Sequence, residues 1–427
     1  MTRPIVPLRI PLLSAQQWVH WGNAGLFPRA EPRSFDQRVV ITALGIAQIL
    51  AWGTSFYFPA VFASPIVAET DWPLSAVVGG TSIGLLIAGL ISPQVGRLID
   101  LHGGRPVLMA SSLFYAAGLA GIAMAPALPV YLAAWALVGI GMGTGLYDAV
   151  FAVLGRLYGR EARAQITNLT LFGGFSSTVC WPLSALLIEQ VGWRSACLIY
   201  AGLHLLVALP LQMAVIGRAP NVAIKAAGPD APTPEPRLIA HESAIFALLA
   251  VILSLAAGIG SIVVVYLLIF LQSRGADFAV AVSLGALFGP AQVSARVVER
   301  LFGNRYHPIW TVVGSCALMA IGLLMLLVRF PILALVILLY GAGYGISWIG
   351  RGTLPLALFG PLRFSRLMGK LAFPSLIVQA LAPSAGALLI KASGVDATIG
   401  VLTLLALINV LLIGALWASC RPQLSSV

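Results

Sequence analysis

Asp148 and Arg351 are the residues best placed to do chemistry. Asp148 stands within the apolar run 130–155, and Arg351 within the run 331–359. A charge held in lipid costs at least ~2.5–3.5 kcal/mol, so it takes a partner or a task. At helical spacing Asp148 shares a face with Gly141, Thr144, Gly145 and Ala152, small residues that leave room for a cavity or a close helix. Arg351 shares one with Tyr344, Ser347 and Pro355. Three arrangements are open. A direct Asp148–Arg351 bridge would lock one side of a gate. Alternatively Arg351 would hold an anion in its planar fork while Asp148 couples a proton. In the third, each charge pairs locally and holds helices together.

Further polar and aromatic residues fall inside apolar runs and are candidates for a cavity lining: Trp52, Tyr57, Tyr147, Trp181, Gln292, Tyr344, Trp348 and Gln379. Each aromatic alone also reads as packing. Gln292 follows Pro290, and bonding to a carbonyl freed by that proline is the slightly favoured role. Other chemistry lacks its parts. The five histidines do not cluster, and His204 stands alone in apolar surroundings as a hydrogen-bonded helix residue. The four cysteines form no Cys-x-x-Cys. There is no phosphate-binding glycine loop and no hydrolytic constellation. No enzyme activity, cofactor or metal is expected.

These residues need elements to carry them, and composition says what kind. Only 9% of the 427 residues are charged and 59% are hydrophobic, where soluble domains carry about a quarter charged. The solvent of this chain is lipid. The length suits roughly twelve spans of ~20 residues. The first six are expected at about 39–66, 74–98, 106–125, 130–155, 165–189 and 193–216. The second six are expected at about 243–272, 278–298, 308–328, 331–359, 369–391 and 396–418. Between them, 218–242 is a polar linker rich in proline. Residues 1–38 form a basic arm, with a weakly amphipathic piece around Trp18 and Trp21, and 419–427 a short tail. The bundles are thus 39–217 and 243–418.

Charge sets the orientation. With the amino terminus inside, inner segments hold 20 of the 25 Lys and Arg, and Arg351 is the one base placed within a span. Both termini are expected in the cytoplasm. The net charge of +11 serves this bias rather than nucleic acid. The halves echo each other near an offset of 200. Gly139-Ile-Gly-Met-Gly143 matches Gly341-Ala-Gly-Tyr-Gly345, Leu157-Tyr158-Gly159 matches Leu358-Phe359-Gly360, and Trp181-Pro182-Leu183 matches Ala382-Pro383-Ser384. Arg97 with Asp100 matches Arg296 with Glu299.

The short hinge between spans 2 and 3 holds Gly96, Arg97, Asp100, Gly103 and Arg105. It resembles the signature loop of the major facilitator superfamily of transporters, in which Gly96, Asp100, Gly103 and Arg105 match and Leu101 and Gly104 replace basic residues. The resemblance covers about 39–418. It implies an all-α membrane protein of twelve transmembrane helices in two pseudo-symmetric six-helix bundles, and alternating access to a central site. It also implies a gating latch at Asp100 and Arg105, with Arg296 and Glu299 as its second-half version. The acidic turn Glu69-Thr70-Asp71-Trp72 before span 2 is similar to the monocarboxylate and oxalate/formate branch, which with Arg351 implies a small organic anion. Two departures stand out. Trp181 precedes Pro182 where drug antiporters of the family have glycine, and Trp135 stands where many members have an arginine in span 4. Proton-driven efflux of a toxic compound is the second reading, and a non-transporting sensor the third. The expected setting is the bacterial inner membrane, with a monomer binding a small solute and a coupling proton, and no nucleic acid.

Overall fold

The computed structural model describes residues 36–216 and 238–424; the arm up to residue 35, with Trp18 and Trp21, and most of the linker lie outside the described residues. Every described element is a helix or a turn. In lipid this is forced, because each backbone N–H and C=O needs a partner within its own segment.

Span 1 is α1 (Gln37–Gly53) and α2 (Pro59–Thr70), separated by a turn. The break is satisfied locally. Thr54 Oγ1 donates to Leu50 O at 2.8 Å, Ser55 Oγ donates to Ala51 O at 2.5 Å, and Pro59 opens the second helix, where its missing N–H costs nothing. Span 2 is α3 (Leu74–His102) and span 3 is α4 (Gly104–Met124). Span 4 is α5 (Leu128–Gly145) and α6 (Tyr147–Tyr158), broken at the extended residue Leu146. Then come α7 (Ala162–Gly174), α8 (Ser176–Leu203), a π-helical turn over His204–Ala208, and α9 (Leu209–Ile216). The α8 helix folds back at Gly192, so this stretch makes spans 5 and 6.

The second half repeats the plan. Span 7 is α10 (Ala240–Gln272), and span 8 is α11 (Phe278–Ala286) with α12 (Phe288–Phe302). Spans 9 and 10 are α13 (Pro308–Leu327) and α14 (Leu333–Phe359). The long α15 (Pro361–Leu424) turns at Gly394 into spans 11 and 12. Span 7 starts at Ala240, inside the stretch read as linker. Glu242 falls in its first turn and accepts from Arg363 in α15 at 2.7 and 2.9 Å. The duplication is visible in the backbone. Gly192 and Gly394 take φ of +77° and +81° at equivalent turns, and Gly159 and Gly360 take +57° and +71°.

Even-numbered spans return to the face that carries residues 36 and 424, termed the terminal face; the opposite one is the distal face. At the distal rim each bundle has its own clamp. In the first, Glu69 at the end of α2 accepts from Trp193 Nε1 at 2.6 Å and Arg194 Nε at 2.8 Å, and Arg194 also donates to Ala123 O at 2.7 Å. In the second, Asp396 pairs with Arg274 and Arg329, and Arg274 donates to Leu326 O at 2.8 Å.

The two bundles meet along spans 2 and 11, and along 5 with 8 and 10. The tightest approach is backbone on backbone. A Cβ on Gly369 would lie 2.3 Å from Ser92 O, and one on Gly96 2.5 Å from Ser365 O. Only glycine fits such a seam. Among the described residues, every hydrogen bond and ion pair that crosses between bundles lies in the half nearer the terminal face. They join Ser92 to Gly369, Ser365 to Ala152, Asp100 to Arg366, Asp148 to Arg351, Arg163 to Gly303, Arg300 to Asn168 and Arg296 to Thr170.

Candidate functional site

The break in span 4 places Asp148 in the first turn of α6, where unpaired amides and the helix dipole favour an anion. Across the seam, Arg351 stands two turns from the end of α14, with its side chain 5% exposed. The two form a bidentate pair, Nε to Oδ1 at 2.6 Å and Nη2 to Oδ2 at 2.9 Å. Of the three arrangements open from sequence, the geometry is that of the direct bridge. The guanidinium also lies 5.6 Å from the ring centre of Trp348. Beside Asp148 a crevice of about 10 Å³, room for a single water, runs between Ser92, Gly96, Gly143, Ala152 and Gly369.

Toward the distal side the bridge is roofed by rings. Trp52 packs on Tyr147 at 4.9 Å and on Trp348 of the other bundle at 5.2 Å. Tyr344 is 6.2 Å from Trp348 and 5.7 Å from Phe288. Tyr57, in the break of span 1, meets Trp181 edge-on at 6.0 Å. Trp181 is 43% exposed and Tyr57 half-buried, whereas Trp52, Tyr147, Tyr344 and Trp348 are buried.

Arg296 corrects the sequence reading. The charge count groups Arg296 with the inner segments, at the end of the span expected over 278–298, and takes Arg351 as the one base within a span. Instead α12 runs on to Phe302, so Arg296 is helical and buried at 3% exposure between the bundles. It donates to Gly345 O at 3.0 Å, to Thr170 O across the seam at 2.8 Å, and to Gln292 Oε1 at 3.4 Å. Thr170 O also accepts from Tyr147 at 3.3 Å, which puts Arg296 under the ring cluster. Among the described residues it has no carboxylate partner. Gln292 thus serves Arg296, one turn on, rather than a carbonyl freed by Pro290.

Glu299 is likewise no loop residue. It is 7% exposed and accepts from Thr311 at 2.7 Å and from Tyr306. Arg296 and Glu299 do not reproduce the geometry of the hinge after span 2. There, Asp100 pairs with Arg366 of the other bundle at 2.5 Å and with Arg156 at 3.7 Å. Gly96 makes the close seam and Gly103 takes φ of +82° to turn the chain. Arg97 and Arg105 are exposed and have no ion-pair partner among the described residues, so the partners of Asp100 are Arg366 and Arg156 and not Arg105. Gln379 is buried between spans 7 and 11, with its own carbonyl accepting from Ser261 at 3.1 Å; it does not join the cluster around the bridge.

Gln48 had no place in the sequence reading, whereas His204 carries the hydrogen bond expected of it. Gln48 of α1 is 2% exposed and donates to Gly145 O at 2.5 Å. His204 bonds Thr54 Oγ1 at 2.9 Å and stacks on Tyr115 at 4.7 Å. Because the Thr54 hydroxyl proton goes to Leu50 O, Nε2 of His204 is the donor in that contact.

Comparison with known proteins agrees with this architecture. The gentisate transporter of Corynebacterium glutamicum is 28% identical over 291 residues, 64% of this chain and 64% of that protein, so the match spans less than two thirds of its length. The 4-hydroxybenzoate transporter PcaK of Pseudomonas putida is 26% identical over 285 residues, 58% of this chain and 62% of that protein. Among solved structures, the proton:xylose symporter XylE superposes with a TM-score of 0.71 at 13% identity, covering 89% of this chain and 95% of that one, a likeness of fold. A family model described as Major Facilitator Superfamily matches residues 44–309, more than half the chain. With twelve spans in two repeated bundles and a charged seam between them, the chain belongs to the Major Facilitator Superfamily of membrane transporters.

Proposed function

We propose that this protein carries a small aromatic carboxylate across the membrane by alternating access, in the state closed at the terminal face. The observation that carries the reading is Arg296. A guanidinium at 3% exposure, bonded to neutral oxygens only, is a cation awaiting an anion. Leaving it unpaired costs several kcal/mol, which a carboxylate in a bidentate pose would offset. Arg351 is already neutralised, because Asp148 occupies its Nε and Nη2 in a bidentate pair. The rings of Trp52, Tyr57, Tyr147 and Trp348 supply the faces that an aromatic ring stacks on. The relatives that transport gentisate and 4-hydroxybenzoate support the same ligand class.

In this reading Asp148–Arg351 and Asp100–Arg366 are the latches of the closed side. Protonation of Asp148 would free Arg351, so a proton entering with the anion would favour opening at the terminal face. The basic residues concentrate there, which supports a cytoplasmic assignment for that face and for both termini in a bacterial inner membrane. Both bundles come from one chain, so a monomer suffices, and no covalent chemistry is needed.

The test is uptake of labelled 4-hydroxybenzoate into proteoliposomes, with Arg296→Gln beside the native protein. Uptake driven by an inward proton gradient and abolished in the variant is expected. Equal protection of both proteins by neutral or cationic compounds would remove the anion reading in favour of efflux. Binding without exchange would leave a sensor.

A further inference from the structure

We infer that Gln48 is a positioning residue that ties the substrate-facing ring of Trp52 to the broken fourth span, and so holds Asp148 in register with Arg351. The inference rests on the transport reading for its kinetic test alone.

Three observations meet at this side chain. The first is the break itself. In an unbroken helix Gly145 O would accept from the amide of Ala149. With Leu146 extended, α6 restarts at Tyr147, and Gly145 O accepts from Gln48 Nε2 at 2.5 Å instead. Gln48 thus satisfies the carbonyl that the break orphans, three residues before Asp148. Second, the other end of the amide is used. Gln48 Oε1 accepts from Trp52 Nε1 at 3.2 Å. Third, Trp52 touches both sides of the seam, Tyr147 next to Asp148 and Trp348 beneath Arg351. A ligand that moves the Trp52 ring pulls on the same amide that fixes the start of α6. With both faces of its amide bonded at 2% exposure, Gln48 has little freedom to rotate.

A glutamine is required by this geometry. The amide must donate to a carbonyl at one end and accept from an indole at the other. Methionine keeps the length and loses both bonds. Glutamate keeps the shape, and its carboxyl donates to Gly145 O only when protonated.

The experiment compares Gln48→Met and Gln48→Glu with the native protein in two assays. The first needs no substrate. Spin labels at Arg160 and Arg305, exposed loop positions of opposite bundles on the terminal face, report the distance between bundles. Gln48→Met is expected to add a longer-distance population, and Gln48→Glu, wherever its carboxyl is ionised, to add the same one. The second is transport, where Gln48→Met is expected to lower the maximal rate at least about tenfold, the effect of orphaning a buried carbonyl, with KM within about twofold. If Gln48 acts through Asp148, adding Gln48→Met to Asp148→Asn costs nothing more. A native distance distribution in folded Gln48→Met, or independent, multiplying losses in the double variant, would overturn the inference. If no solute is transported but the distances shift as stated, the positioning role stands and the substrate reading falls.

Discussion

Removing one partner of the Asp148–Arg351 bridge should cost more than removing both, and the two single losses should differ. The pair is bidentate, with side-chain exposures of 5% and 15%. Deleting one member of such a buried pair leaves an uncompensated charge, at about 3–5 kcal/mol. Asp148→Asn leaves Arg351 with its charge, because a guanidinium does not release its proton, and with only the Trp348 face as consolation. Arg351→Gln is milder, by about 1 kcal/mol, for two reasons. The carboxylate keeps the dipole of α6, worth about 0.3–1 kcal/mol. It can also take up a proton and become neutral. The double variant Asp148→Asn/Arg351→Gln faces amide to amide and should recover at least about 2 kcal/mol of the summed single losses. The assay is a double-mutant cycle of unfolding in detergent, run together with a distance across the terminal face. A coupling energy within about 0.5 kcal/mol of zero would mean that the charges do not act on each other, and the gate assignment would fail.

Other consequences are smaller or more local. Gly369→Ala puts a methyl group 2.3 Å from Ser92 O and should open the terminal face at a cost of about 1–3 kcal/mol, read as faster labelling of a cysteine placed in the seam. Asp100→Asn leaves Arg156 and Arg366 facing each other with one neutral amide and should cost about 1.5–3 kcal/mol, with increased proteolysis of the terminal-face loops as the readout. The hydrogen bonds from Arg194, then Trp193, hold the Glu69 carboxyl below the usual range. A depressed carboxyl contributes stability above its ordinary pKa, and that contribution goes as pH falls through the folded value. The native protein should therefore lose melting temperature on acidification below about pH 5 more than Glu69→Gln does, by an amount matching no more than about 1 kcal/mol for so exposed a pair.

How far the sequence reached follows from what each signal measures. Hydropathy reports lipid directly, so twelve spans and two bundles were legible. The repeated glycines report backbone, and their shared positive φ explains why they survive in both halves. Asp148 and Arg351 were legible because a lone charge in an apolar run is conspicuous and the offset between halves paired them. Arg296 was not, because α12 is strongly amphipathic: Arg296, Glu299 and Arg300 read as the charges of a loop when they are the last turns of a helix. The spacing Gln292, Arg296, Glu299 was the available signal, four and then three residues apart on one face. Gln48 carried only the signal that Gln292 and Gln379 also carry, a polar side chain in an apolar run. Its role depends on a break at Leu146 that no proline announces, and on two helices whose contact is not encoded in the spacing of either.

The distal clamps bear on how such a chain can move. In the first half the acid sits at the end of span 1 and the base at the start of span 6; in the second half the base ends span 7 and the acid starts span 12. The position is conserved between repeats while the sign is exchanged, which is what a selected contact leaves when the partners only need to be opposite. Each clamp lies within one bundle. The hydrogen bonds and ion pairs between bundles sit in the half nearer the terminal face, beside apolar contacts across the seam such as Trp52 on Trp348 and Phe364 against Gly155. In the proposed cycle each bundle turns as a unit about that seam, with its clamp intact. Opening the terminal face then breaks Asp148–Arg351 and Asp100–Arg366 and also parts the apolar contacts across the seam. In that reading an anion bound at Arg296 would stand on the same seam and change the balance of these contacts without touching the clamps.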